Sequence, residues 1–394
     1  MTSVNAVIGA GYGDEGKGLM TDYLARQDED TIVVRSNGGA QAGHTVTLPN
    51  GYRNVFSHIG SGTLAGNRTY LSEFFVSNPM LWYKEIESLK RYTDDELIPS
   101  MWVHPDSPLT TPYDMLLNMA FEQHRGDEKH GSCGVGFGET IERTETFMKL
   151  TVADLYTMSQ QELYDLLDII RNEYVPVRLW FELSDEYKSL LNNDNIIHNF
   201  IDVCEEFQKN FTLANYDVLK GQDIIFEGAQ GLMLDQRHPY FPHVTRSNTG
   251  MKNVMSIINQ VGGIAPADIT VNYVTRAYTT RHGAGPLSNE MDIPFSVDDE
   301  TNIRNNWQGS LRFAPLDFDV LYDTIQDDAQ NYPATVNQKL AFTCADQVRE
   351  GSVYVEDNTI YNTSRVHYIE KMVSMGDYVS YGPTHLNVRR TSDD

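Results

Sequence analysis

Asp14 and Glu15 stand where carboxylates are least expected, inside the run GAGYGDEGKGL at 9–19. Glycines at that density, followed by Lys17 and a helical pattern, make a cradle of backbone N–H groups for an anion. Two acids there would repel a phosphate unless positive charge lies between them. A divalent cation meets that condition. Asp14 is a hard oxygen ligand suited to Mg²⁺, and the same carboxylate can act as a base. Lys17 is then left for the phosphate. A second glycine turn, GGAQAGHT at 38–45, carries His44. Taken alone, His44 is an ordinary hydrogen-bonded loop histidine. Beside the first loop, it can supply a cation or a proton to a transferring phosphoryl group.

Two other readings of the first loop stay open on the residues. Gly11-x-Gly13-x-x-Gly16 fits a dinucleotide fingerprint, which wants an acid at the end of the second strand. The chain has Arg35 there, which could suit a 2′-phosphate instead. Gly11-x4-Gly16-Lys17-Gly18 is nearly a P-loop, but the Ser or Thr that would hold Mg²⁺ is replaced by Gly18. Only the carboxylate-and-metal reading uses Asp14 and explains Gly18 together.

The elements that must position these loops follow from pattern. VNAVIGA (4–10) is a short buried strand, KGLMTDYLARQ has helical spacing, and TIVVRS (31–36) is a second strand. Strand, turn, helix, strand is a βαβ unit and predicts a parallel sheet. TVTLPNGYRNVFSHI predicts a hairpin around Asn50–Gly51, and SVYVEDNTIYN a second one. QDIIFEGAQGLMLD and ADITVNYVTRAYTTRHGAGP each run from strand into glycine turn, and LAFTCAD and YVSYGPTH are late strands with loops at their carboxyl ends. The stretch around 153–220 is polar and helical. The expected fold class is therefore α/β: one doubly wound, mostly parallel sheet domain over 1–394 with a mainly helical insertion, its ligands at the carboxyl ends of strands.

The bulk numbers exclude more than they assign. A net charge of −25 argues against a nucleic-acid surface or a binder of anionic membranes, since both need a basic face. Cys133, Cys204 and Cys344 are odd in number and widely spaced, so a disulfide framework is not expected and a reducing cytoplasm fits. No signal peptide or membrane span is read. His238 and His243 in DQRHPYFPHVT do not form a helical zinc face. Arg237 and Arg246 flank that loop, either reaching a substrate phosphate or lying on the surface as arginine commonly does.

GDEGKG (13–18), VVRSNGGAQAGHT (33–45), FEGAQGLMLD (226–235), VTRSNTG (244–250), AYTTRHGAGP (277–286) and YGPTH (381–385) together resemble adenylosuccinate synthetase, in the right order over most of the chain. The resemblance implies a ligase that joins a 6-oxopurine nucleotide to L-aspartate, driven by a nucleoside triphosphate with Mg²⁺ as cofactor, and a homodimer. It implies that Asp14 removes the purine N1 proton and that His44 and Lys17 assist transfer of the γ-phosphoryl group to the 6-oxygen. Asp14 and the Gly43 carbonyl would hold the metal. The triphosphate would lie against Gly13, Glu15, Gly16, Lys17, Gly18, Gly43, His44 and Thr45, with its base near Asp346, Gly382 and Pro383. The purine substrate would meet Asp14, Asn37, Gln41, Ser132, Cys133, Gln230, Leu234 and Thr245. Aspartate would meet Thr301, Asn302, Arg304, Ser310 and Arg312. For Glu15 the expectation is support, a hydrogen bond or an ion pair, rather than chemistry.

Departures cluster at the ligand positions. Ser132 and Cys133 replace the family's paired threonines, and Cys133 is a weak donor. The arginine lent to a neighbouring subunit falls near Phe147, with Arg143 the nearby substitute. Ser310 stands where the family has an arginine that also reaches the ribose 2′-hydroxyl. The guanine-reading Thr-Lys-x-Asp becomes TCAD (343–346), so Cys344 replaces lysine and ATP or dATP becomes plausible. This combination is similar to the family's phage branch, which makes N6-succino-2-amino-2′-deoxyadenylate from dGMP and aspartate for 2-aminoadenine DNA; a phage-encoded copy would act in the host cytoplasm. Retention of Asp14 keeps ordinary synthesis from IMP and GTP as the alternative.

Overall fold

The computed structural model describes residues 2–28, 30–90, 101–128, 130–297 and 309–393. Its first strand, Val4–Gly9, shows why the sheet forms. Val4, Ala6 and Ile8 enter the main apolar core on one face, while Val7 packs with Leu19, Met20 and Leu24 on the other. A strand buried on both sides carries an unbroken apolar run, as parallel strands covered by helices do. The helix Lys17–Ala25 supplies that second cover. Each fully buried Val, Leu or Ile in such a layer stabilises by roughly 1.5–3 kcal/mol relative to exposure.

The central sheet has ten strands. In spatial order they are Val388–Arg390, Tyr378–Ser380, Asn337–Thr343, Ile269–Arg276, Val4–Gly9, Ile224–Glu227, Ile32–Arg35, Arg68–Leu71, Met101–Val103 and Phe211–Leu213. All neighbours pair in parallel except the edge strand Val388–Arg390, which runs antiparallel to Tyr378–Ser380. The expected doubly wound, mostly parallel sheet is what the chain forms. Chain order reverses about Val4–Gly9, so the glycine loops after neighbouring strands open into one crevice.

Both expected hairpins are present. His44–Thr47 pairs with Arg53–Phe56, and Ser352–Glu356 with Thr359–Thr363. The second turns through Asp357 and Asn358, both at positive φ (47° and 55°), the geometry that two-residue hairpins demand. Between 152 and 210 lie the helices Val152–Thr157, Gln160–Ile169, Val175–Arg178, Asp185–Leu191 and Asn195–Asn210, around a second apolar core that includes Trp82, Phe200 and Phe207. Within the stretch expected to be mainly helical, Phe211–Leu213 is a strand and adds the last member to the sheet. Its Phe211 packs edge-on against Trp82, so a side chain in the helical core fixes the sheet edge. Among the described residues, no helix is long and apolar enough to cross a membrane.

Candidate active site

At the carboxyl ends of these strands lies a cavity of about 460 Å³. Asp14, Gly16, Lys17, Gly18, Gly43, His44, Thr45, Asp346, Gly382 and Pro383 all line it. Of the residues expected around the triphosphate, only Gly13 and Glu15 fall outside. Leu19, Thr47, Gly51 and Arg53 of the first helix and hairpin, together with Arg276, Thr343, Cys344 and Gln347, complete the wall. Cys344 is the residue read above as replacing lysine; the sequence reading missed the others, whose signal was adjacency to motifs already singled out.

Gly18 is explained by space rather than by metal chemistry alone. A Cβ there would sit 2.7 Å from the Thr45 carbonyl oxygen, because the hairpin backbone presses on the start of the helix. A Cβ on Gly16, whose φ is 94°, would likewise sit 2.9 Å from the Thr343 side chain. No hydroxyl-bearing residue fits after Lys17.

Glu15 answers why a second carboxylate sits in the cradle. It is 3% exposed and turned inward. One of its oxygens accepts from the amides of Gly11 (3.0 Å) and Gly13 (2.7 Å); the other accepts from Lys17 Nζ at 2.5 Å. It folds the loop upon itself and aims Lys17: the expected hydrogen bonds and ion pair are there, while direct contact with the triphosphate is left to its neighbours. Asp14 points the other way. Its backbone is in the left-handed region at φ 63°, with its carbonyl oxygen accepting from Arg276 Nε. Its carboxylate is 29% exposed and lies 3.5 Å from His282 Nε2. Asp14 and Gly43 both line the cavity, and a carboxylate with a backbone carbonyl is a hard-oxygen set that suits Mg²⁺, which takes few protein ligands and completes its shell with phosphate and water.

His44 is not a free loop histidine. Its Nδ1 lies 2.6 Å from Glu227 Oε1, and the ring is buried. Burial drives the imidazole below the usual histidine range, against the opposing pull of Glu227. Glu227 is fully buried and accepts from the backbone N–H of Ser61 at 3.1 Å and from the Ser61 hydroxyl. Burial would raise its pKa, but His44 and Arg35 overrule it and hold the carboxyl at about 2. Arg35 Nη1 is 3.7 Å from that carboxylate, and Arg35 is itself fully buried. It therefore cannot meet a 2′-phosphate, and the dinucleotide reading loses its support.

Among the residues expected around the purine, Asn37 ties two glycine turns together. Its Nδ2 donates to the Ala229 carbonyl at 3.1 Å, and its Oδ1 accepts from the Ala229 amide at 2.7 Å. Asn37 is thus a clasp between loops. Gln41 Nε2 and Oε1 and Gln230 Oε1 are buried with no protein partner. Such groups are costly unless something polar meets them, so they fit a ligand with both donors and acceptors. Gln230 is held at φ 56°, and Leu234 packs with Tyr12, Met233 and Tyr240. The amide of Thr245 donates to the Leu234 carbonyl at 2.9 Å, joining the two.

The loop bearing Ser132 and Cys133 has an unforeseen occupant. Buried Glu122 accepts from the amides of Gly131 (2.9 Å) and Ser132 (3.3 Å) and pairs with Arg125 at 2.6 Å. The Ser132 hydroxyl accepts from Asn118 at 2.7 Å. Burial pushes the Cys133 thiol up to about 11, so it stays protonated and a weak donor.

Several arginines are placed differently from expectation. Arg143 is wholly buried, bonded to both oxygens of Asp114 (Nε at 2.9 and 3.2 Å, Nη2 at 2.9 Å) and to the carbonyls of Leu109 and Met148. It locks two helices together and cannot serve a neighbouring subunit; exposed Phe147 offers no cation either. Arg246 pairs with Glu142 and Glu145, and Arg237 donates through Nε to Asp235 at 3.3 Å. Arg312 donates to Glu290 through Nε (2.9 Å) and Nη2, and through Nη1 to the carbonyls of Gly283 and Gly285. Its fork is filled by an acid of the same chain. Ser310 is exposed, whereas Thr301, Asn302 and Arg304 lie outside the described residues.

The comparisons with known proteins agree with this architecture. An adenylosuccinate synthetase from Prochlorococcus marinus (strain NATL1A) is 34% identical over 311 residues, covering 72% of this chain and 63% of that protein. One from Psychromonas ingrahamii is 33% identical over 297 residues, with 72% and 63% covered. The chain thus spans less than two thirds of the length of these relatives. Among solved structures, fully ligated adenylosuccinate synthetase from Plasmodium falciparum superposes with a TM-score of 0.75 at 18% identity, over 98% of this chain and 99% of that one. Succinoaminodeoxyadenylate synthetase of cyanophage S-2L, bound to dGMP and dATP, superposes with a TM-score of 0.61 at 14% identity, over 99% and 96%. The family model for adenylosuccinate synthetase matches residues 6–338, and the chain belongs to that family.

Proposed function

We propose that the chain is a purine nucleotide–aspartate ligase acting on dGMP with ATP or dATP, giving N6-succino-2-amino-2′-deoxyadenylate. The observation that carries the ligase reading is one cavity wall bearing Asp14, Lys17 and a His44 backed by Glu227. Asp14 takes the proton from purine N1, which makes the 6-oxygen nucleophilic. The O6–P bond forms as the bond from the γ-phosphorus to its bridging oxygen breaks, releasing the nucleoside diphosphate. His44, with Nδ1 toward Glu227, and Lys17 offset the charge on the moving phosphoryl group. Mg²⁺ held by Asp14 and the Gly43 carbonyl would neutralise phosphate charge. The amine of aspartate then attacks C6; the C6–O bond breaks, and phosphate leaves with a proton lost from nitrogen.

Support for dGMP and an adenine triphosphate comes from two departures and one likeness. Cys344 lines the cavity where the family reads guanine with a lysine, and burial raises its thiol, so it brings no charge. Ser310 offers no cation to a 2′-hydroxyl. The cyanophage enzyme of related fold is described with dGMP and dATP. Ordinary synthesis from IMP and GTP is the second reading, favoured by Asp14 and by the curated relatives. Phosphate release with aspartate and Mg²⁺ should be faster with dGMP than IMP, and faster with ATP or dATP than GTP. Higher kcat/KM for IMP would overturn the dGMP reading.

Arg312 is the described residue suited to an aspartate carboxylate, and Glu290 competes for it. Both are partly exposed, so the pair is worth little. Glu290→Gln should lower KM for aspartate about two- to fivefold with kcat unchanged. A KM that does not move would detach both residues from the aspartate site.

A further inference from the structure

His282 has no part in any expectation above, yet it is the histidine facing Asp14. Its Nε2 lies 3.5 Å from Asp14 Oδ2, its side chain is 16% exposed, and its Nδ1 is buried with no partner. The turn that carries it is closely packed on both sides. Next to it, Gly283 packs so closely on Gly131 that a Cβ on Gly131 would sit 2.9 Å from the Gly283 Cα. On the other side, Arg281 donates to the Pro286 carbonyl (2.7 Å) and the His243 carbonyl (2.9 Å), with its guanidinium 4.5 Å from the centre of the Tyr12 ring. An imidazole delivered from such a turn has little freedom. With Nδ1 in a dry setting and a carboxylate before Nε2, the proton belongs on Nε2, where it has an acceptor.

We propose that His282 is a positioning residue for Asp14: its Nε2–H closes on Oδ2 and leaves Oδ1 turned to the purine N1. Free-state contacts of this kind are often longer than in the complex and tighten when substrate is bound. The inference rests on Asp14 being the N1 base. A carboxylate in a left-handed loop position, carried on a glycine-rich turn, has several rotamers open to it. A neighbour that fixes one of them raises the rate without binding any substrate.

The test compares His282→Ala, His282→Leu and His282→Gln in steady-state phosphate release with all three substrates. Leucine keeps bulk without a donor, while glutamine restores an N–H. Alanine and leucine should lower kcat about 10- to 100-fold with each KM within about twofold, and glutamine should recover part of the loss. Thermal midpoints within a few degrees of the wild type keep the comparison among folded proteins. Unchanged kcat in the leucine variant overturns the inference, as does equal loss in leucine and glutamine. Asp14→Asn, measured alongside, separates the two failures. If it is inactive while His282→Leu is fully active, only the positioning role falls. If Asp14→Asn is itself fully active, the base assignment falls and takes the positioning role with it.

Discussion

Asp14→Asn will stop phosphate release while nucleoside triphosphate binding persists. The expected loss in kcat is on the order of 10³-fold, the scale of removing a positioned general base. Asparagine is the right replacement because Asp14 sits at φ 63°. Aspartate and asparagine tolerate that region, whereas alanine there would add roughly 1–2 kcal/mol of strain and confuse folding with chemistry. Asparagine also keeps an oxygen for the metal while losing basicity. Titration calorimetry with a non-hydrolysable triphosphate should give a Kd within about tenfold of the wild type, since Lys17 and the loop amides are untouched. An Asp14→Asn enzyme that retains full turnover would remove Asp14 as the base and leave it a metal ligand only.

What was legible in the sequence was local. The strand Val4–Gly9, the cradle after it and the helix from Lys17 are written in consecutive residues, and glycine spacing alone says where backbone approaches a ligand. The hairpins carried their own turn residues. What was illegible depends on distant pairing. Glu227 is separated from His44 by 183 residues, and its role appears only when the fold sets the carboxyl end of Ile224–Glu227 against the start of the hairpin strand His44–Thr47. Arg35 looked like a free cation at a strand end, and the same carboxylate takes it. Glu15 was visible, but not that it would turn inward to accept two amides and Lys17. Arg143, Arg246 and Arg312 show the general weakness. In a chain with net charge −25, an arginine is surrounded by acids, and sequence does not say which one holds it.

Glu227→Gln should lower kcat on the order of 10²- to 10³-fold, although Glu227 touches no substrate in the proposed reaction. A neutral His44 gives its Nδ1–H to Glu227 and presents a lone pair at Nε2. To offset charge on a phosphoryl group, the ring must take up a proton, and burial opposes that. The buried carboxylate is what makes the imidazolium attainable when the phosphates arrive. Glutamine keeps the shape and loses the charge, as in hydrolase triads where the acid orients and stabilises histidine. The same change leaves Arg35 buried with its counter-ion removed, which by itself costs about 3–5 kcal/mol of stability. The two effects separate in the double variant Arg35→Met/Glu227→Gln. Replacing the buried cation with an apolar side chain should restore most of the thermal midpoint, because an ion pair exchanged for apolar packing is often near neutral. Turnover should stay low, because His44 still lacks its carboxylate. Recovery of turnover together with stability would mean that Glu227 only holds the sheet ends together and that His44 works without it.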